Sequence, residues 1–145
     1  MSKKQWPPPG FPIVEGRQAL TDTWSIYLPD KFARRIEDSC LVLWRPGLTI
    51  WLAAWGNDKG ETQSERLKSI KTDASPHRFA ETETNVNNLT RYVHRLRDRN
   101  EDGPVESLCA YILNDDGHLQ MAVYFDDVRD EAKARDLAES VMDVR

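Results

Sequence analysis

Few residues in this chain have the types and spacing that chemistry needs. The run NDDGH, Asn114 to His118, gathers two carboxylates and an imidazole. Such a set could hold a divalent cation or move a proton. A calcium loop, however, needs further oxygen ligands and a distal bidentate glutamate at set spacing, and neither follows. Asn-Asp-Asp-Gly is also strong hairpin-turn chemistry, and a turn accounts for every residue in it. His77, His94 and His118 stand far apart in sequence. Cys40 and Cys109 fall inside apolar, strand-like runs with no histidine at local pairing distance. They read as buried free thiols, with a cross-strand disulfide or a cysteine nucleophile as the competing readings. There is no phosphate loop, no dinucleotide glycine pattern, no His-Glu-x-x-His and no Gly-x-Ser-x-Gly. The sequence therefore assigns no catalytic residue, no metal and no cofactor, and a non-enzymatic protein is expected.

Two other stretches suit binding better than catalysis. RYVHRLRDR, Arg91 to Arg99, is the most basic. On a strand, Arg91, Arg95, Arg97 and Arg99 share one face with Val93, and Tyr92, His94 and Leu96 share the other. Basic residues interleaved with an aromatic can contact nucleic acid or an acidic protein. The plain alternative is a solvated face balanced by nearby acids. With 20 Lys plus Arg against 24 Asp plus Glu, the net charge of −4 disfavours nucleic acid and anionic membranes. The second stretch, CLVLWRPGLTIWLAAW at residues 40–55, holds Trp44, Trp51 and Trp55, three of the five tryptophans. These are either core with satisfied indole N–H groups, or the wall of a groove that takes an apolar peptide, a helix or a second copy of the chain. The candidate binding residues are thus Trp44, Trp51, Trp55, Arg91, Arg95 and Arg97.

The elements that must position these residues can be read coarsely. Residues 1–15 form a proline-rich arm with Pro7, Pro8, Pro9 and Pro12 beside Trp6 and Phe11, either a loose terminus or a docking arm. Residues 16–145 suit one domain. No signal-peptide pattern is visible, and the longest apolar run, near Ile50 to Trp55, is far short of the ~20 residues that span a bilayer. A cytoplasmic location without membrane contact is expected. Trp24, Ile26 and Leu28 alternate with polar neighbours as a strand that Pro29 ends. Both arms of the 40–55 hairpin are apolar on both sides, which marks central strands covered on two faces. Thr62 and Glu65 have capping-box spacing before a helix whose stripe is Leu67, Ile70 and Ala74. Extended segments follow near Arg78 to Thr84 and Leu89 to Arg97, then a hairpin from Val105 to Leu113 and His118 to Phe125. A last helix, capped by Asp127, carries Ala134, Leu137, Ala138, Val141 and Val144. The predicted class is α+β: an antiparallel sheet of about six strands flanked by two helices, in the order β-ββ-α-βββ-α, with no internal sequence repeat.

This order resembles the PsbP-like fold. The likeness is carried by WSIYLPDKF, by the 40–55 hairpin, by the helix with Leu67 and Ile70, and by SLCAYILNDDGHLQMAVYF leading into the last helix. It covers about residues 16–144 and has no signature motif. The proline-rich arm and the extra tryptophans are not part of the general pattern. The fold is shared by photosystem extrinsic subunits, a Ran-binding import factor and small bacterial proteins, including chaperones for type VI secretion effectors. The resemblance implies a non-enzymatic protein-binding role, as a bacterial chaperone, adaptor or immunity-type protein, and transfers no catalytic residue. A protein partner is expected, with a second copy of the chain as one candidate. A small-molecule or lipid carrier with an aromatic-lined pocket is the alternative. A closed cavity beside Trp51 or Trp55 would favour that alternative, and a flat exposed strip would favour protein binding.

Overall fold

The computed structural model describes residues 6–144, so the first five residues of the proline-rich arm lie outside the described residues. Four strands come first: β1 (Ile13–Ala19), β2 (Trp24–Glu37), β3 (Cys40–Arg45) and β4 (Leu48–Gly56). Helix α1 (Gln63–Asp73) follows, and then β5 (Phe79–Val86), β6 (Leu89–Asn100), β7 (Gly103–Asn114) and β8 (Gly117–Phe125). A 3-10 turn leads into α2 (Glu131–Glu139), and β9 (Met142–Asp143) is the last element. Every pairing is antiparallel, in the order β1-β2-β3-β4-β8-β7-β6-β5, with β9 beside β2.

This corrects the expected six strands flanked by helices. Among the described residues nine strands form one sheet, and the helices are short. Three physical features account for the difference. Strand β1 begins at Ile13, inside the stretch read as an arm. Pro29 does not end β2, because Gly16 faces Leu28 while Val14 faces Phe32. Residues 29–31 thus bulge out of the β1 ladder, where the missing proline N–H costs no bond. Beyond the bulge the charged run to Glu37 pairs with β3 through Asp38 and Ser39, both at positive φ (49° and 66°), as a primed hairpin turn requires. The sequence shows no repeat, yet the element order ββββα occurs twice, and the two halves meet along β4 and β8.

The sheet is strongly curled. Helix α2 touches β2, β7 and β8, although β3 and β4 separate β2 from β8. At its end, Ser140 O accepts from Arg17 of β1 (2.7 Å), and Val141 O accepts from Arg91 of β6. Six strand spacings would hold β1 and β6 about 29 Å apart in a flat sheet, against a helix diameter of ~10–12 Å. The sheet therefore wraps α2 in its concave face. Ala134, Leu137, Ala138 and Val141 meet Ile26, Phe32, Ile50, Ile112 and Met121 there, all essentially buried. Val144, expected on the same stripe, lies past the helix and is exposed. Asp127 caps the 3-10 turn, accepting from Arg129 N (2.9 Å), rather than α2 itself.

Helix α1 lies on the other face. Its Leu67 and Ile70 pack on Tyr92, Tyr111 and Leu113, residues opposite in alternation to the β6 and β7 positions that meet α2. The expected capping box is present: Thr62 Oγ1 accepts from Glu65 N (3.1 Å), and Glu65 Oε1 accepts from Thr62 N (3.0 Å). Among the described residues no helix is long and apolar enough to cross a membrane.

Candidate functional site

Strand alternation and register decide what the convex face shows. Trp51 pairs with Val42 on one side and Ala122 on the other, and Ala122 pairs with Cys109, which pairs with His94. One row along, Ala53 pairs with Gln120, which pairs with Tyr111. Trp55 then pairs with His118, and Thr49 with Tyr124. All these side chains share one face. Helix α1 covers only the corner over Tyr92, Tyr111 and Leu113. Trp55 is left 55% exposed and Tyr124 41%, while Trp51, Ala53, Cys109, Tyr111 and Ala122 are half-buried.

The result is a trough. Ala53, Ala122 and Cys109 are short and lie between Trp51 and Tyr124 on one side and Trp55, Gln120 and Tyr111 on the other. It runs across three strands, and its walls stand four residues apart along β4 and β8, about 13 Å between Cα atoms, which is close to the ~10–12 Å diameter of a helix. Trp44 borders it differently. Phe11 meets its ring edge-on (5.0 Å between centroids, 80°), and the Arg35 guanidinium lies 4.6 Å from its centroid. The arm thus folds back on the hairpin at Phe11. The three tryptophans expected to act together do share this face, but Trp44 is engaged by Phe11 and Arg35, Trp51 is half-buried with the same guanidinium 5.9 Å from its centroid, and only Trp55 is exposed.

The basic stretch lies elsewhere. Arg91, Arg95 and Arg97 alternate toward the concave side, away from the tryptophans. Arg91 is tied to the last carbonyls of α2. Arg95 is 2% exposed and ion-pairs with Glu106 and Glu131. Arg97 is exposed but pairs with Glu106 at 2.6 Å. The structure therefore gives all three intramolecular partners and brings none of them to the aromatic strip. Tyr124, Ala53 and Ala122, which complete the trough, were not singled out from the sequence. Their alternation with buried β8 and β4 neighbours was visible, but the sheet order that joins those strands was not.

Titratable groups are dispersed. Among the described residues no three His, Cys, Asp or Glu side chains form a metal-ligating group. NDDGH is a turn between β7 and β8, with Asn114 Oδ1 accepting from Asp116 N and Gly117 N (both 2.9 Å). Cys40 and Cys109 are free thiols on strands three spacings apart, and burial pushes the Cys109 thiol upward. Under α1, Tyr92 Oη accepts from Arg78 Nε (3.0 Å) and donates to Glu81. Burial, with that carboxylate, raises the phenol to about 12.

His118 stacks under Trp55 (6.3 Å between centroids, 20°). Burial, aided by the nearby Arg66 charge, lowers its pKa from 6.5 to about 4. The unfolded chain therefore binds a proton between about pH 6.5 and 4 that the folded chain refuses, so stability present at neutral pH is lost as pH falls through that window. His94, also lowered by burial, adds to the loss with the same sign. Urea unfolding at pH 7 and pH 4.5 should show a drop on the order of 2–3 kcal/mol, and His118→Gln should remove much of it. An undiminished drop in the variant would place the proton uptake elsewhere.

Compared with known proteins, the chain matches no family model, and no curated protein matches it in sequence.

Proposed function

We propose that this chain is a non-enzymatic protein-binding module of the cytoplasm that receives an apolar helical segment of a partner in the convex trough. One observation carries the reading. Exposed Trp55 and Tyr124, with half-buried Trp51 and Tyr111 beside them, surround small side chains on a sheet face that α1 covers only at one corner. Large, rigid aromatics around a shallow floor are the anchors that protein interfaces favour. The binding roles of the PsbP-like fold, which the sequence pattern resembles, agree with this reading, and a chaperone, adaptor or immunity-type protein is its sharpest form.

Replacing Tyr124 with a photo-crosslinking benzoylphenylalanine in the native host tests it, with the same group at Lys133 on α2 as the control position. A discrete adduct from position 124, mapped by mass spectrometry to an apolar segment of one protein, is expected. Ala122→Arg fills the floor of the trough and should reduce that adduct at least about tenfold, with thermal stability unchanged. Equal adducts from both positions, or indifference to Ala122→Arg, would refute the reading. Capture of a second copy of the chain would make the trough a homodimer interface.

A further inference from the structure

Arg66, near the start of α1, is a buried charge without a counter-ion among the described residues. It is 4% exposed. Its Nη1 donates to Gly117 O (2.7 Å) and Asn114 O (3.2 Å), tying α1 to the turn between β7 and β8. Its Nη2 is buried and has no hydrogen-bond partner. Among the described residues no carboxylate pairs with it, whereas Arg95, the other buried arginine, pairs with two. Desolvating a guanidinium without a counter-ion is costly, so such a group is usually matched by an anion. Beside it, His118 Nδ1 is also buried and unpartnered.

Both residues line the same cleft, a space of about 340 Å³ between α1 and the convex face. Trp55, Tyr111 and Ile70 form its apolar walls, and Asp73 stands at its mouth. Its size falls in the ~300–1,000 Å³ range of small-ligand sites. It combines aromatic walls with convergent polar groups, as such sites do.

We infer that this cleft binds a monocarboxylate carried on a flat apolar body, with the carboxylate received by Arg66 Nη2 and His118 Nδ1 and the body held against Trp55 and Tyr111. Two unpartnered nitrogens on residues that line one cleft suit the two oxygens of a carboxylate. The exposed Trp55 indole, stacked over His118, is the side chain that moves aside for entry. A second negative charge on the ligand would point outward toward Asp73, seven residues and about 10 Å further along α1, which is why the ligand is a monoanion. Asp73 itself is exposed and screened, so it does not cancel Arg66 in the buried floor. The inference concerns the isolated chain and does not rest on the docking of a protein partner.

The test uses 2-naphthoate and its uncharged analogue 2-naphthalenemethanol, titrated into the full chain and followed by ¹H–¹⁵N NMR. Saturable binding of the naphthoate is expected, with shifts centred on the Trp55 indole, His118 and Gly117, and with affinity at least about tenfold above that of the alcohol. Arg66→Gln should erase that tenfold preference. Because Arg66 also holds two carbonyls, Ser69→Trp serves as a second variant. Ser69 is exposed and lines the cleft, so the new indole fills the space while leaving Arg66 in place. It should abolish naphthoate binding in a chain whose other resonances are unmoved. Equal affinity for acid and alcohol, shifts centred on Lys68, Lys71 and Arg78 on the other side of α1, or full binding to Ser69→Trp would each overturn the inference.

Discussion

Arg95→Ala is expected to destabilise the fold by about 3–5 kcal/mol, the cost of removing one partner from a buried charge cluster. The Arg95 side chain is 3% exposed. It ion-pairs with Glu106 of β7 and with Glu131 at the start of α2, and its Nε donates to Ser107 O at 3.0 Å. Its guanidinium lies between two rings, 5.3 Å from the centroid of Phe79 and 4.9 Å from that of Phe125. Truncation leaves a cavity between those rings and strips Glu106 and Glu131 of their shared cation. Each retains only one exposed or half-exposed arginine, Arg97 for Glu106 and Arg135 for Glu131. For a chain of this size the melting temperature should fall by roughly 8–15 °C. Arg95→Lys should recover only part of this, because an ammonium cannot serve both carboxylates and stack between the rings as the planar fork does. Arg97→Ala, on the exposed side of the same network, should cost less than about 1 kcal/mol. Thermal melts of the three variants separate these expectations, and an Arg95→Ala chain as stable as wild type would show that the cluster contributes nothing net. A partner lost on changing Arg95 would thus report damage to the fold rather than a contact surface.

That case shows what the sequence could and could not carry. Alternation correctly puts Arg91, Arg95 and Arg97 on one side of their strand with Val93. It says nothing of which side faces α2, because that depends on a helix some 35 residues away and on the curl of the whole sheet. The elements held by local chemistry were legible: the Pro46-Gly47 hairpin, the NDDG turn, the capping box of α1 and the apolar stripe of α2. Those that depend on remote pairing were not. β2 runs through Pro29 only because a bulge excuses the proline from the β1 ladder. β4 and β8 become neighbours at the centre of the sheet, although α1 and three strands intervene in sequence. The same remoteness hid the trough. Trp51, Ala53 and Trp55 were visibly on one face of β4, but the second wall comes from β8 and β7. The exposure of the trough follows from α1 taking the convex face at one corner while α2 takes the concave one. The doubled ββββα order therefore leaves the centre of one face covered by α2 and the other face partly open.

Gly117→Ala should be the most damaging single methyl in the chain, costing about 3 kcal/mol, because the added atom meets backbone rather than a yielding side chain. Gly117 opens β8 and pairs with Gly56 of β4 on one side and Asn114 of β7 on the other. A Cβ there would stand 2.1 Å from Trp55 O and 3.2 Å from Gly56 Cα. The β4 and β8 backbones would have to separate where the two halves of the sheet join. Gly47, in the β3–β4 turn, makes the useful comparison. It has φ +81° but open space around its Cβ position, so Gly47→Ala should cost only the ~1 kcal/mol of an unfavourable backbone region. The consequence at Gly117 reaches beyond stability. Its carbonyl receives Arg66 and its N–H donates to Asn114 Oδ1, so a displaced strand start withdraws the anchor of α1 and tilts His118 beneath Trp55. Urea unfolding should therefore show the loss in stability, and NMR of whatever folded population remains should show its largest shifts at Trp55, Gly56 and Arg66. A Gly117→Ala chain within about 1 kcal/mol of wild type, with those resonances unmoved, would mean that β4 and β8 do not approach so closely there. The cleft beside Trp55 would then need a different floor.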